Sequence, residues 1–388
     1  MIKRKKPLNL LWAGVIFSTA CVNKIAPPEV STLPLPEGYI QPKIAVSPHG
    51  TVHLICYKGD PANGDIYYGT ISPEGESFSS FIQVNNIPGT AIAAGTIRGA
   101  QLAVGKDETV HVLWNGSGKS TIQQDDSTRV TPLLYTRKRA DEKEFEPSRN
   151  IITKAWGLDG GSALTADEEG NVYIAWHAPV PGSKGEKFRR VWLASSRDMG
   201  QTFEEEKIVS DTTHGVCGCC GLQIHTQDEN IYVLYRNVKD TTSRDMQLVS
   251  LSKKGTVMNE RTLDEWPING CPMSSAAIAS GSTGTFGAWE TGGLIRYCML
   301  GNQLKTTVLS PQSQEDGSRH PSMAIGDDHY TLLTWSEGTG WNRGGGVAWE
   351  ITHPDNKLSR SGKMRESVPV WSFPSGFFVP EKGFTIVY

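Results

Sequence analysis

One unit of about fifty-five residues recurs six times along this chain, and that recurrence limits the possible fold more than any other feature. Each copy begins with small residues, runs through an alternating apolar stretch, turns at Gly or an acidic residue, and climbs a second strand to an aromatic. The second copy reads Gln101-Leu102-Ala103-Val104, a turn from Gly105 to Glu108, then Thr109-Val110-His111-Val112-Leu113-Trp114. The closing aromatics are Tyr57, Trp114, Trp176, Tyr235, Trp289 and Trp335, spaced by 57, 62, 59, 54 and 46 residues. Short alternating strands at this period describe the blade of a propeller rather than a helical solenoid. One blade cannot bury both of its faces, so neighbouring sheets must pack radially. The chain is therefore expected to be an all-β, six-bladed β-propeller over residues 39–388. The 41 glycines and 22 prolines suit so many turns.

The first residues read as an export signal. Lys3, Arg4, Lys5 and Lys6 precede a short apolar run from Leu8 to Phe17, too short to span a bilayer. Small residues follow up to Cys21, in the manner of a bacterial lipoprotein signal in which the cysteine becomes the lipidated first residue. The expected organisation is a signal peptide over 1–20, a lipidated Cys21 with a proline-rich tether over 21–38 (Pro27, Pro28, Pro34, Pro36), and then the propeller. The expected location is the bacterial cell envelope, with membrane contact through the lipid only. The formal charge of −3 offers no basic footprint for nucleic acid.

After the third repeat stands Ser196-Arg197-Asp198-Met199-Gly200-Gln201-Thr202-Phe203. Ser196, Asp198, Gly200, Thr202 and Phe203 resemble the Asp-box of the sialidase-like (BNR repeat) superfamily. The box is structural: its carboxylate gathers N–H groups in a tight hairpin, its glycine takes a positive φ and its aromatic wedges against the sheet. A narrower resemblance runs through Cys217-Gly218-Cys219-Cys220, Tyr235-Arg236-Asn237, Arg244-Asp245 and Gly270-Cys271-Pro272, which is similar to a bacterial lipoprotein subgroup of these propellers. The resemblance implies a sialidase-like propeller; a fold of this kind does not by itself imply a reaction.

Blade connectivity indicates which residues share a face. The Asp-box turn joins strands three and four, on the side of the turn between strands one and two. The opposite rim then carries the residues that precede each first strand or follow each second strand. Those positions hold Arg98, Asp159, Arg319 and His320 ahead of first strands, and His177, Arg236, Glu290 and Glu337 after second strands, with Trp341 and Arg343 in the loop beyond Trp335. Arg98, Arg236 and Arg319, with His320, Glu337 and Trp341, form the expected substrate-binding set, because guanidinium groups suit carboxylate or sulfate. His177 with Asp159 or Glu290 is the candidate acid–base pair. Hydrolytic sialidases place an arginine in an Arg-Ile-Pro-like motif ahead of the first blade. Here Gln41 occupies that place, which argues against a true exo-sialidase.

Cys217, Cys219, Cys220 and Cys271 precede the first strands of adjacent blades, so they are expected to cluster. Two chemistries fit an exported chain: disulfides, with Cys219 or Cys220 stapled to Cys271, or a thiolate site for Cu or Zn. Cu or Zn at this cluster is the only cofactor the sequence suggests. Three functions follow as expectations. The first is a lipid-anchored, monomeric propeller that binds or processes glycans or small acidic ligands, with glycoside hydrolase-like chemistry if it is an enzyme. The others are a metal-binding or redox lipoprotein, and a non-catalytic interaction scaffold.

Overall fold

The computed structural model describes residues 1–2, 27–123, 129–240, 242–301, 306–326, 329–353, 355 and 357–388. Cys21 and the expected leader lie outside these residues, apart from the first two. Each repeat does form a radial antiparallel sheet. The first blade runs Tyr39–Val46, Val52–Asp60, Asn63–Ile71 and Ile82–Gln83 from the axis outward. The second begins at Gln101–Val104 and Val110–Asn115, the third at Ser162–Ala166 and Val172–Pro179, the fourth at Gln223–Gln227 and Asn230–Val238. The fifth has Ala276–Gly281, Gly284–Thr291 and Leu294–Leu300, and the sixth Ser318–Ile325, Thr331–Glu337, Gly345–Thr352 and Leu358–Val368. The described helical pieces are single 3-10 turns, and none is long and apolar enough to cross a membrane.

The ring has seven blades, not six. The seventh is a three-stranded sheet that joins the two ends of the chain. Ser375–Val379 and Gly383–Val387 form a hairpin, and Glu29–Leu33 pairs in parallel with its second strand. The count of six missed it because this blade is short and borrows its outer strand from the far end of the sequence. Its own aromatic was present all along: Tyr388 closes the second strand 53 residues after Trp335. The expected tether is corrected in the same stroke. Residues 29–33 are a strand, Val30 and Leu33 pack into cores beside the seventh blade, and the Leu35 N–H reaches the Tyr388 carbonyl at 2.8 Å. Joining residues 29–33 to 383–387 in one sheet closes the ring, so it cannot open without breaking that ladder.

A separate apolar core fills each of the seven junctions between blades. The six closing aromatics are all buried. Trp114, Trp176, Tyr235, Trp289 and Trp335 each pack against the preceding blade, and the half-buried Tyr388 does the same against the sixth. This placement explains the repeat: a flat ring at the end of strand two fills the widening gap between twisted sheets. Around the axis, the seven first strands enclose a channel of about 740 Å³.

Candidate functional site: a rim with an open flank and a sealed flank

The two faces separate as blade connectivity requires. On one, the hairpin between Arg189–Ser196 and Lys207–Ile208 carries the Ser196–Phe203 segment. Asp198 accepts from the Thr202 amide at 2.9 Å and its hydroxyl at 2.6 Å, and Ser196 Oγ donates to it at 2.7 Å. Burial opposes ionisation there, but these donors outweigh it and hold the carboxyl down at about 2. Gly200 has φ +77°, and a Cβ would collide with the Tyr135 hydroxyl of the neighbouring blade. Phe203 meets Tyr135 edge to face at 5.1 Å. On this same side, the Met199 amide bonds the Gly170 carbonyl in the turn between strands one and two.

The opposite rim gathers the loops leading into the first strands. An open cleft of about 150 Å³ lies where the approaches to the second, fifth, sixth and seventh blades meet, and it shares Thr96 and His320 with the axial channel. Arg319, Trp341, Arg343, Met273 and Trp371 line it. Trp341 is 65% exposed, the most exposed aromatic among the described residues, and meets Trp371 edge to face at 6.2 Å. Arg319 is partly exposed, with its Nε 3.8 Å from the Glu290 carboxylate. Glu290 itself is buried and its Oε2 has no partner, so burial outweighs the nearby Arg319 and Arg236 and raises the carboxyl to about 8. His320, at φ 52°, bonds Thr96 Oγ1 and Ser275 Oγ; burial, then Arg319 and Lys43, push it down to about 3. In the channel below, burial lowers the Lys43 ammonium to about 8, and it stands 5.0 Å over the Phe373 ring.

The other flank, at the fourth and fifth blades, is sealed. Arg236 was expected in an anion cradle, but the fold engages its guanidinium on every side. It donates to Ser274 Oγ at 2.9 Å, the Arg244 carbonyl at 2.7 Å, the Glu290 carbonyl and Thr291 Oγ1, and lies over Trp266 at 4.7 Å. Arg98 is paired through Nε and Nη2 with the Asp159 carbonyl and carboxylate, at 2.7 and 2.8 Å, linking the second and third blades. Glu337 accepts from Lys363 and from Trp335 Nε1, away from the cleft lining.

His177 is buried, and its Nε2 donates to the Cys220 carbonyl at 2.9 Å, which leaves Nδ1 to accept from Arg189. Burial and Arg189 press it down to about 4. It shares no hydrogen bond with Asp159 or Glu290 among the described residues, so these three do not form a contacting acid–base group.

The four sulfurs are brought together as their loop positions imply. Cys219 and Cys271 form a disulfide across the fourth and fifth blades. Cys217 and Cys220 are buried free thiols 3.2 Å apart, and Cys217 Sγ lies 3.6 Å from Cys219 Sγ. Of the two pairings expected for Cys271, the one with Cys219 is formed. Gly160 allows the approach of the third blade, since a Cβ would stand 2.6 Å from the Cys220 and Gly218 carbonyls. Trp371 and Lys43 are site residues that the sequence reading passed over. Trp371 precedes the first strand of the seventh blade, so the rule that located Arg319 would have found it once Tyr388 was counted. Gln41 is buried between blades: its side chain donates to the Ala93 and Trp371 carbonyls at 2.8 Å, and its amide to Ser372 Oγ.

No family model and no curated protein matches the chain. Solved structures do. An α-L-arabinanase from Penicillium chrysogenum, solved with arabinobiose, is similar at 12% identity and TM-score 0.53, covering 84% of this chain and 96% of its own. An α-L-arabinofuranosidase from Fusarium graminearum, with an iminosugar inhibitor, is similar at 11% identity and TM-score 0.51, covering 85% and 94%. A polysaccharide lyase, an ulvan lyase bound to a GlcA(1-4)Rha3S saccharide, is similar at 12% identity and TM-score 0.53, covering 90% and 94%. The likeness is one of fold: a β-propeller.

Proposed function

We propose that this chain is an exported propeller of the sialidase-like kind, held in the bacterial cell envelope through a lipidated Cys21, that binds acidic glycans in its rim cleft. The observation that carries the reading is the exposed Trp341 set against Trp371 beside Arg319 and Arg343, at the mouth of the axial channel. An exposed indole offers a flat face to the C–H face of a sugar ring, and a guanidinium takes a carboxylate or sulfate in two hydrogen bonds. The glycan-directed proteins that share the fold, one of them solved with a uronate-containing sulfated saccharide, support the same choice of ligand. The Ser196–Phe203 hairpin supports the sialidase-like kinship by its hydrogen bonds, and Gln41 in place of an arginine argues for a ligand other than one cleaved by exo-sialidases.

The reading is tested by calorimetry with uronate-containing and sulfated oligosaccharides against neutral ones. Binding of the acidic set, weakened by Arg319→Ala with Trp341→Ala and by added salt, is the expected result. Equal binding of that double variant removes the cleft from the proposal.

A further inference from the structure

The sulfur cluster has a layout that glycan binding does not use. From solvent inward it runs through the exposed Cys271, the half-buried Cys219, and the buried Cys217 and Cys220. The three sulfurs of Cys217, Cys219 and Cys220 all lie within 4.8 Å of one another. A disulfide that faces solvent is thus backed by a dithiol in contact with it. The inner pair is held in place by its backbone: Cys217 N–H donates to the Arg236 carbonyl at 2.9 Å, Gly221 N–H to the Ser274 carbonyl at 3.0 Å, and the Cys220 carbonyl receives His177.

We propose that the four cysteines form a thiol–disulfide exchange site, in which one disulfide moves between the outer pair, Cys219–Cys271, and the inner pair, Cys217–Cys220. Cys217 donates its S–H to Cys220, which also accepts from Ser274 Oγ at 3.4 Å. Burial resists a thiolate at Cys220, but the hydrogen bond from Cys217, the Arg236 charge and the Ser274 hydroxyl outweigh it and lower the group. Cys217 moves in the opposite sense, because it holds the shared proton and is buried.

The exchange balances without an outside oxidant. Cys217 attacks Cys219 Sγ as its proton passes to the Cys220 thiolate; the Cys217–Cys219 bond forms, the Cys219–Cys271 bond breaks, and Cys271 leaves as thiolate toward solvent. Cys220 then yields that proton to the Cys271 thiolate and attacks Cys217. The Cys217–Cys220 bond forms and Cys219 departs as thiolate. One disulfide, one proton and one negative charge are present before and after. Moving the bond inward releases the staple between the fourth and fifth blades. It also frees Cys271, which with Met273 forms one wall of the cleft.

The test is acid-quenched alkylation and peptide mapping of the full-length chain, purified without reductant, together with metal analysis. The expected result is one disulfide per chain, found as both Cys219–Cys271 and Cys217–Cys220 after incubation at neutral pH. Cys220→Ser should accumulate the Cys217–Cys219 bond with Cys271 open to alkylation. A Cys219–Cys271 bond as the sole linkage at every time, two disulfides per chain, or one Cu or Zn per chain would each overturn the proposal. Should Cys220→Ser fail to fold, Cys271→Ser removes the outer bridge from its exposed end and leaves the inner pair intact. Mild oxidation should then close Cys217–Cys220 within one chain, and closure between chains, or none, would count against it.

Discussion

The two flanks of the same rim put arginine to opposite uses. Around the fourth and fifth blades, Arg236 is enclosed by four acceptors and an indole, His177 is capped by a carbonyl, and a disulfide closes the surface. Around the sixth and seventh, Arg319 makes one long contact with Glu290 and Trp341 stands out into solvent. A charge removed from water needs partners on every side, so the sealed flank is built of mutual hydrogen bonds and serves stability. A charge left in water keeps its hydrogen-bonding capacity for a ligand. The same residue type is therefore enclosed on one flank and left accessible on the other, by burial alone.

The sharpest way to break this contrast is Arg236→Ala. It strips partners from Ser274, Thr291 and two carbonyls, and should cost roughly 3–5 kcal/mol in denaturant unfolding. Arg319→Ala should change stability by less than about 1 kcal/mol. Equal losses from both would erase the distinction between the flanks. Next in size is the staple. Replacing Cys219 and Cys271 together by Ser opens a loop of 52 residues and should cost about 2–4 kcal/mol. Thermal unfolding without reductant reads that loss directly.

Glu290, at the seam between the flanks, sharpens the comparison through pH. Its carboxyl is raised from an ordinary 4.5 to about 8, so the folded chain binds its proton more tightly than the unfolded chain. Its contribution is complete below 4.5 and is lost as pH climbs through 8, with a slope of at most about 1.36 kcal/mol per pH unit. The buried His111, His177 and His320 and the half-buried His225 are depressed instead; their contribution is complete above 6.5 and lost as pH falls. Between pH 6.5 and 8 the wild type should therefore lose stability relative to Glu290→Gln, and parallel melting curves for the two would refute the buried, protonated carboxyl. The smallest effect belongs to the open flank. Trp341→Ala should leave stability within about 0.5 kcal/mol and weaken acidic glycan binding by about 1 kcal/mol, roughly fivefold.

Much of the fold was legible because period and burial coincide. An aromatic at the end of each second strand recurs where each wedge between sheets needs filling, and alternation along the strands follows from two packed faces. The seventh blade escaped because its third strand comes from residues 29–33, hundreds of positions from its hairpin, and the prolines on either side of them suggest a tether. Connectivity also placed the rim. Cys271 could be put beside Cys219 without coordinates, since both precede first strands of neighbouring blades. What the rule cannot say is how deep a loop residue sits. Arg98, Arg236 and Arg319 occupy comparable loop positions, yet one is paired, one is enclosed and one is half free.

By itself, then, the amino-acid order determined an all-β propeller of repeated blades, though not their number, together with the chemical content of one rim and the grouping of four cysteines, because these depend on periodicity and on which strand ends face the same way. The closing of the ring by the chain's two ends, the pairing of Cys219 rather than Cys220 with Cys271, and the division of arginines between core and cleft were decided only by the tertiary structure. Each depends on distances of a few ångströms between segments far apart in the chain, where burial and the supply of hydrogen-bond partners, rather than residue type, set what a side chain does.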